Sequence, residues 1–219
     1  MLTLKYIVCF AAVFSFLACA DPNSPQNQAA ETETKVEVVE SFEDNQYAVY
    51  DALIADDDLI PYFSRKSNLL SSESNLLVII DRTSIYFHGE SKMMEFILPN
   101  MQNQLPSLSK AAFDDFFANN KSRILLKDLF TLPVKRVFIS DEELKTILKD
   151  GYLEAFYKKY PNSQGVMTLS NVGFDAQKKQ ALVYVSNIRG SLDAVGIYVM
   201  LEKQNNVWCV KEKYEAWVS

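Results

Sequence analysis

The stretch VGIYVMLEKQNNVWCV, Val195–Val210, decides the fold. Val195, Ile197, Val199 and Leu201 alternate with Tyr198 and Met200, the two-residue period of a β-strand. Asn205-Asn206 interrupts the run, and Asn tolerates the positive φ that a two-residue hairpin turn demands. The apolar run VWCV follows at once, so the two segments are antiparallel neighbours. Both sides of the first strand are apolar. Helices must therefore cover at least one of them.

Working outward, VMTLSNVGF (166–174) and QALVYVSN (180–187) are two more β-rich runs, and the last continues as VWCVKEKYEAW (207–217). The connections DAQKK, IRGSLDA and QNN are too short for crossovers, which gives a four-stranded antiparallel meander. Upstream the period changes. Ser41 and Asp44 suit a helix start, and Tyr47, Tyr50, Leu53 and Ile54 make an amphipathic stripe ending near Asp56-Asp57-Asp58 and Pro61. LLVIID (76–81) reads as a buried strand, and residues 91–98 as a short helix. Ser109 caps KAAFDDFFANN, with Leu108 and Phe113 spaced as a hydrophobic staple. TLPVKRVFI (131–139) reads as a strand in which Pro133 implies an edge or a start. Ser140 and Glu143 form a capping box for the helix 141–149, and YLEAFYKKY stops at Pro161. The expected fold is α+β: a four-stranded antiparallel C-terminal meander packed against several N-terminal helices, plus one or two additional strands, in two layers.

The N-terminus is built differently. Lys5 is the one charge before an apolar run over 7–17, too short to be a permanent membrane span, and small residues follow at Ala18, Cys19 and Ala20. The layout is that of a signal peptide over 1–18. Phe16-Leu17-Ala18-Cys19 resembles the bacterial lipobox, in which the Cys is acylated and becomes residue one. Phe16 and Leu17 depart from its commoner residues. The polar stretch after Cys19 suits a tether over 19–40, with one globular domain over 41–219. The competing reading is A-x-A cleavage after Ala20, releasing a soluble product. A lipid on Cys19 would place the protein on the bacterial cell envelope.

Composition narrows the partners. With 22 Lys+Arg against 28 Asp+Glu, the formal charge is −6, and no basic cluster offers a footprint for nucleic acid. Nor does a basic patch hold the folded body on anionic lipid, so membrane contact falls to the N-terminal lipid. Outside the leader and its edge, Cys209 is the one Cys, which leaves no zinc spacing and no disulfide within the body. No cofactor is implied: the chain has six Gly and carries no phosphate-binding loop, dinucleotide fingerprint or nucleophile elbow. LLVIIDRT is similar to the strand-Asp motif of haloacid-dehalogenase-type phosphotransferases. Arg82-Thr83 lacks their second acid, and Asp81 and Thr83 are more simply turn residues closing a strand.

The pattern from Asn171 to Ser219 resembles the C-terminal half of a family of small exported bacterial proteins. They share GF-(D/N)…ALVYV…G-x-L…G-x-Y-V-x-L-x-K-x-N-(G)-x-W-x-V. Asn206 stands where the family usually has Gly, and Arg189 and Asp193 stand in a loop that is often Gly-rich. The resemblance implies export and carries no activity. The closing hairpin is also loosely similar to NTF2-like domains.

Three functional readings follow. The first is a non-catalytic domain that binds an envelope protein or a small apolar ligand. Its candidate surface is Tyr184 and Tyr198, with Arg189 and Asp193 at the rim. The same aromatics equally suit a core between sheet and helices, the commoner use of such stripes. The second is a small hydrolase or isomerase with a pocket between helices and sheet, drawing on His88, Asp81 or Glu95. The third is a passive structural protein of the envelope.

Overall fold

The computed structural model describes residues 42–64, 69, 75–85, 101, 103–149 and 152–219. The leader, Cys19, the tether, Ser41, the helix expected over 91–98, His88 and Glu95 lie outside the described residues.

Chain order is α1 (Phe42–Ala55), α2 (Ile60–Phe63), β1 (Leu76–Ile80), α3 (Lys110–Asn119), β2 (Lys135–Ile139), α4 (Asp141–Lys149) and α5 (Tyr152–Lys159). The C-terminal strands follow as β3 (Ser163–Leu169), β4 (Gly173–Phe174), β5 (Gln180–Gly190), β6 (Asp193–Gln204) and β7 (Val207–Val218). The sheet is mixed, with spatial order β2-β1-β3-β5-β6-β7 and β4 beside β5. Parallel pairing of β1 with β2 and β3 requires crossovers, which α3 and then α4 and α5 supply. The remaining pairs are antiparallel.

The meander forms as its alternation dictates, with one interruption. VMTLSNVGF is split into β3 and β4, both paired with β5. Between them the Ser170 hydroxyl accepts the Tyr184 N–H at 2.8 Å, so a side chain holds the ladder where the strand breaks. Asn205 and Asn206 adopt φ of 50° and 64°, and this left-handed pair closes the β6–β7 hairpin. β2 begins two residues beyond Pro133 and is a sheet edge, where a missing N–H is harmless.

Helices cover both faces of this sheet, so the expected two layers become three. On one face Ile79, Leu169, Val183, Ile197 and Leu201 meet Tyr50, Leu53 and Ile54 of α1 in the largest core. On the other, Leu182, Tyr184, Tyr198 and Met200 lie beneath Phe116 of α3. At the β1–β2 end of that second face, Val78, Ile80, Ile139 and Val166 pack with Ile147 and Phe156. The physical reason is that residues 181–185 of β5 and 194–201 of β6 are apolar on both sides of the sheet, and each side buries its own helix layer. The sheet stays open and is not closed into the cone of an NTF2-like domain.

Local signals act mostly as expected. The Ser109 hydroxyl accepts the Ala112 N–H, and Leu108 and Phe113 pack on the second core. Ser140 likewise accepts from the Glu143 N–H at 3.0 Å. The capping box is only half made, because the Glu143 carboxylate accepts from Lys159 Nζ and the Tyr160 hydroxyl instead. Those two bonds lower the Glu143 pKa, Lys159 being the larger cause. Asp56 has a structural use at the α1 terminus: its carboxylate accepts the Asp58 N–H and its carbonyl accepts those of Leu59 and Ile60. The acid turns the chain from α1 into α2.

α3 is seated by close approach and by amides. A Cβ added at Gly173 would fall 2.3 Å from the Phe116 backbone, so only glycine lets the helix lie on β4. The Asn120 side chain accepts the Asn171 N–H and donates to the Asn171 carbonyl, and Asp115 accepts the Phe174 N–H at 2.7 Å.

Candidate functional site

The face of α1 opposite its core stripe carries Asp44, Ala48, Asp51, Ala52 and Ala55 at helical spacing, and Asp56 follows its last residue. Alanine methyls fill little space. Between that face, the segment 129–132 and the hairpin residues Asn206–Val210 lies a groove of about 800 Å³. Its apolar walls come from the alanines, Leu129, Leu132, Val207, Trp208 and Val210. Asp44 and Asp56 lie twelve residues apart, a span of about 18 Å along the helix at 1.5 Å per residue. The groove is therefore elongated.

Asp51 is fixed at the middle of it. Its Oδ2 accepts the Thr131 N–H at 2.8 Å and the Thr131 hydroxyl at 2.6 Å. Its Oδ1 is buried and has no hydrogen-bond partner among the described residues. Trp208 is 5% exposed and its indole N–H is likewise buried without a partner. The indole ring stands 5.7 Å from Phe174 and carries Lys203 Nζ 5.5 Å from its centroid. Burial raises the Asp56 pKa, and the hydrogen bond from Asp58 opposes that rise. Burial also raises the Tyr47 phenol, whose oxygen accepts the Lys127 N–H. The described residues lining the groove include no Lys or Arg. What the arrangement offers is apolar contact along its length, with separated acids and one buried acceptor that no described residue satisfies.

The surface expected from the sequence is placed elsewhere. Tyr184 and Tyr198 are brought together, rings 5.0 Å apart, but both are buried under α3, at 1% and 0% exposure. Phe116 packs edge-on against Tyr198 at 5.9 Å, and burial raises the Tyr184 phenol above its ordinary range. These tyrosines fill a core in this structure. Arg189 stands five residues from Tyr184 along β5, about 17 Å at strand rise. Its guanidinium donates twice to Asp193 Oδ1, at 2.9 and 2.7 Å, and to the carbonyls of Pro61 and Tyr62. The pair ties the β5–β6 hairpin to α2, leaving few donors for a ligand.

Of the acid–base trio considered, Asp81 alone is described. It directly follows β1, half-buried, and its buried Oδ1 has no hydrogen-bond partner among the described residues. Thr83 does not make a local turn: its hydroxyl accepts the Ile124 N–H from across the chain at 2.9 Å. Arg123 beside it donates to the Thr83 and Arg82 carbonyls and pairs with Asp141. Among the described residues, no three His, Cys, Asp or Glu side chains lie close enough together to hold a metal ion. No helix of the described residues is long and apolar enough to cross a membrane. Cys209 is half-buried in β7.

Sequence reasoning passed over the groove because its helix face carries no conspicuous residue. The signal was there as alternation of Ala and Asp at helical spacing, in DNQYAVYDALIADDD. Comparison with protein-family models, with curated proteins and with solved structures gives no match to this chain.

Proposed function

We propose that this is an exported protein held on the bacterial cell envelope by a lipid on Cys19, whose folded domain binds a partner without transforming it. The observation that carries the binding reading is the elongated groove between α1 and the start of β7. A volume of about 800 Å³ lies within the ~300–1,000 Å³ range of ligand sites. Its polar groups are spaced along the walls, an arrangement suited to holding a ligand. The anchor rests on the apolar run, the small residues around Cys19 and the polar stretch that follows.

Two measurements test the reading. Full-length protein is expressed in a bacterium, fractionated, and the mature N-terminus weighed: diacylated Cys19 in the membrane fraction is expected, and a soluble product beginning at Asp21 overturns the anchor. In the same cells a photo-crosslinking residue is placed at Ala52 in the groove, and separately at Leu192, which is 86% exposed on the β5–β6 hairpin. A discrete adduct from Ala52 and none from Leu192 supports the binding role. No adduct from Ala52, or the same adducts from both positions, overturns it.

A further inference from the structure

Deepening that reading and resting on it, we propose that the groove takes an extended basic stretch of polypeptide, which adds as a short strand to the outer edge of β7 at Val207–Val210. β7 ends the sheet, so its outer edge has no strand partner among the described residues. Natural edges are blunted by bulges and charge. Most of β7 is: the ladder with β6 skips Lys211 and Ala216, and Lys211, Glu212, Lys213 and Glu215 carry charge. Val207–Val210 is not blunted. Those four residues pair without a shift against Gln204–Leu201, and Val207 is 62% exposed. Gln204 and Val207 close a two-residue hairpin and form its hydrogen-bonded pair, so Trp208 and Val210 direct their N–H and C=O outward. The same four residues line the groove.

Charge complementarity selects the occupant. Asp44, Asp51 and Asp56 line the groove with no Lys or Arg among the described lining residues, and the buried Asp51 Oδ1 lacks a donor. Asp51 and Asp56 are about 7.5 Å apart along the helix axis. An extended peptide presents alternate side chains about 6.6 Å apart, so basic residues at every second position would bring repeated positive charge to the acidic wall. About five extended residues span the groove. Strand addition supplies affinity through the main chain, and the alternating side chains supply selectivity.

The test uses the full-length protein and the acetylated, amidated hexapeptide Lys-Val-Lys-Val-Lys-Val as probe. Three controls accompany it: the Glu-Val counterpart, the same Lys-Val peptide N-methylated at alternate residues, and spermine. The expected result is at least tenfold slower amide exchange at Trp208 and Val210 with the Lys-Val peptide, and binding that weakens as salt rises. The Glu-Val and N-methylated peptides bind at least tenfold more weakly. Asp51→Asn, which keeps an acceptor for Thr131, weakens the Lys-Val peptide three- to tenfold. Ala55→Arg, which leaves the Asp51–Thr131 contact alone, weakens it similarly. Equal binding by the N-methylated peptide or by spermine, without slowed exchange at Trp208 and Val210, overturns strand addition in favour of a simple cation site. If Ala52 yields its adduct in cells while no cationic probe binds, this inference falls and the binding reading stands. If Ala52 yields none, both fall.

Discussion

Trp217 donates its indole N–H to the Tyr184 hydroxyl over 3.0 Å, reaching across the strand between them at Gly196. A Cβ at position 196 would sit 2.1 Å from the Trp217 nitrogen and 2.5 Å from the Tyr184 oxygen. Gly196→Ala must push the indole off the sheet or strain β6. A loss of about 1–3 kcal/mol is expected, the usual range for overpacking, read as a lower urea midpoint at unchanged slope. Adding Trp217→Phe restores part of it, since the smaller ring vacates the clash. Unchanged stability of Gly196→Ala would contradict this account.

Arg189 ties three pieces of chain together, so its removal should cost more than a surface charge does. The side chain is 14% exposed and serves Asp193 and the carbonyls of Pro61 and Tyr62. Arg189→Ala takes two donors from the Asp193 carboxylate and one from each carbonyl, of which that of Tyr62 keeps Asn187 Nδ2 at 3.3 Å, for an expected loss of about 2–3 kcal/mol. Arg189→Lys recovers less than half, because one ammonium cannot reproduce the planar fork. Thermal unfolding of the three proteins decides it.

The Tyr62 hydroxyl donates to Glu215 at 2.5 Å, joining α2 to β7. That bond raises the phenol to about 12, with burial adding to it, against an ordinary 10.0. A raised pKa means the folded state holds its proton longer than the unfolded chain does. The contact's stabilisation is therefore fully present below about pH 10 and is lost as pH rises through about 12. The stability difference between the native chain and Tyr62→Phe should be flat from pH 7 to 9 and shrink above 10. Ultraviolet difference titration of the two should place the missing phenolate near 12.

The hairpin turn offers a test of backbone strain alone. Asn205 and Asn206 both sit at positive φ, which costs a residue with an ordinary side chain about 1–2 kcal/mol. Asn206→Ala should lower stability by about 1 kcal/mol, whereas Asn206→Gly should match or exceed the native chain. Chemical denaturation resolves both. An Ala variant as stable as the Gly variant would mean the turn had changed type.

Much of the architecture was legible because its determinants are local. Alternation placed β5, β6 and β7, paired asparagines placed their turn, and Ser109 and Ser140 marked helix starts that the structure keeps. The split of one expected strand into β3 and β4 was not legible, because it depends on Ser170 meeting Tyr184 from another strand. The half-made capping box is similar. Glu143 was free to bond backwards until α5 brought Lys159 and Tyr160 to it.

The candidate site divides along the same line. By itself the sequence determined that the chain is acidic, that its last four β-runs form an antiparallel meander, and that Tyr184 and Tyr198 share one side of it. Those properties follow from composition and a two-residue period, which neighbours in the chain settle between themselves. Tertiary structure alone decided that α3 buries those tyrosines, that Arg189 is committed to α2, and that the Ala–Asp face of α1 and Val207–Val210 of β7 line one groove. Periodicity says which side chains share a face. Which helix covers that face, and which residues share a groove, depends on packing between segments far apart in the sequence.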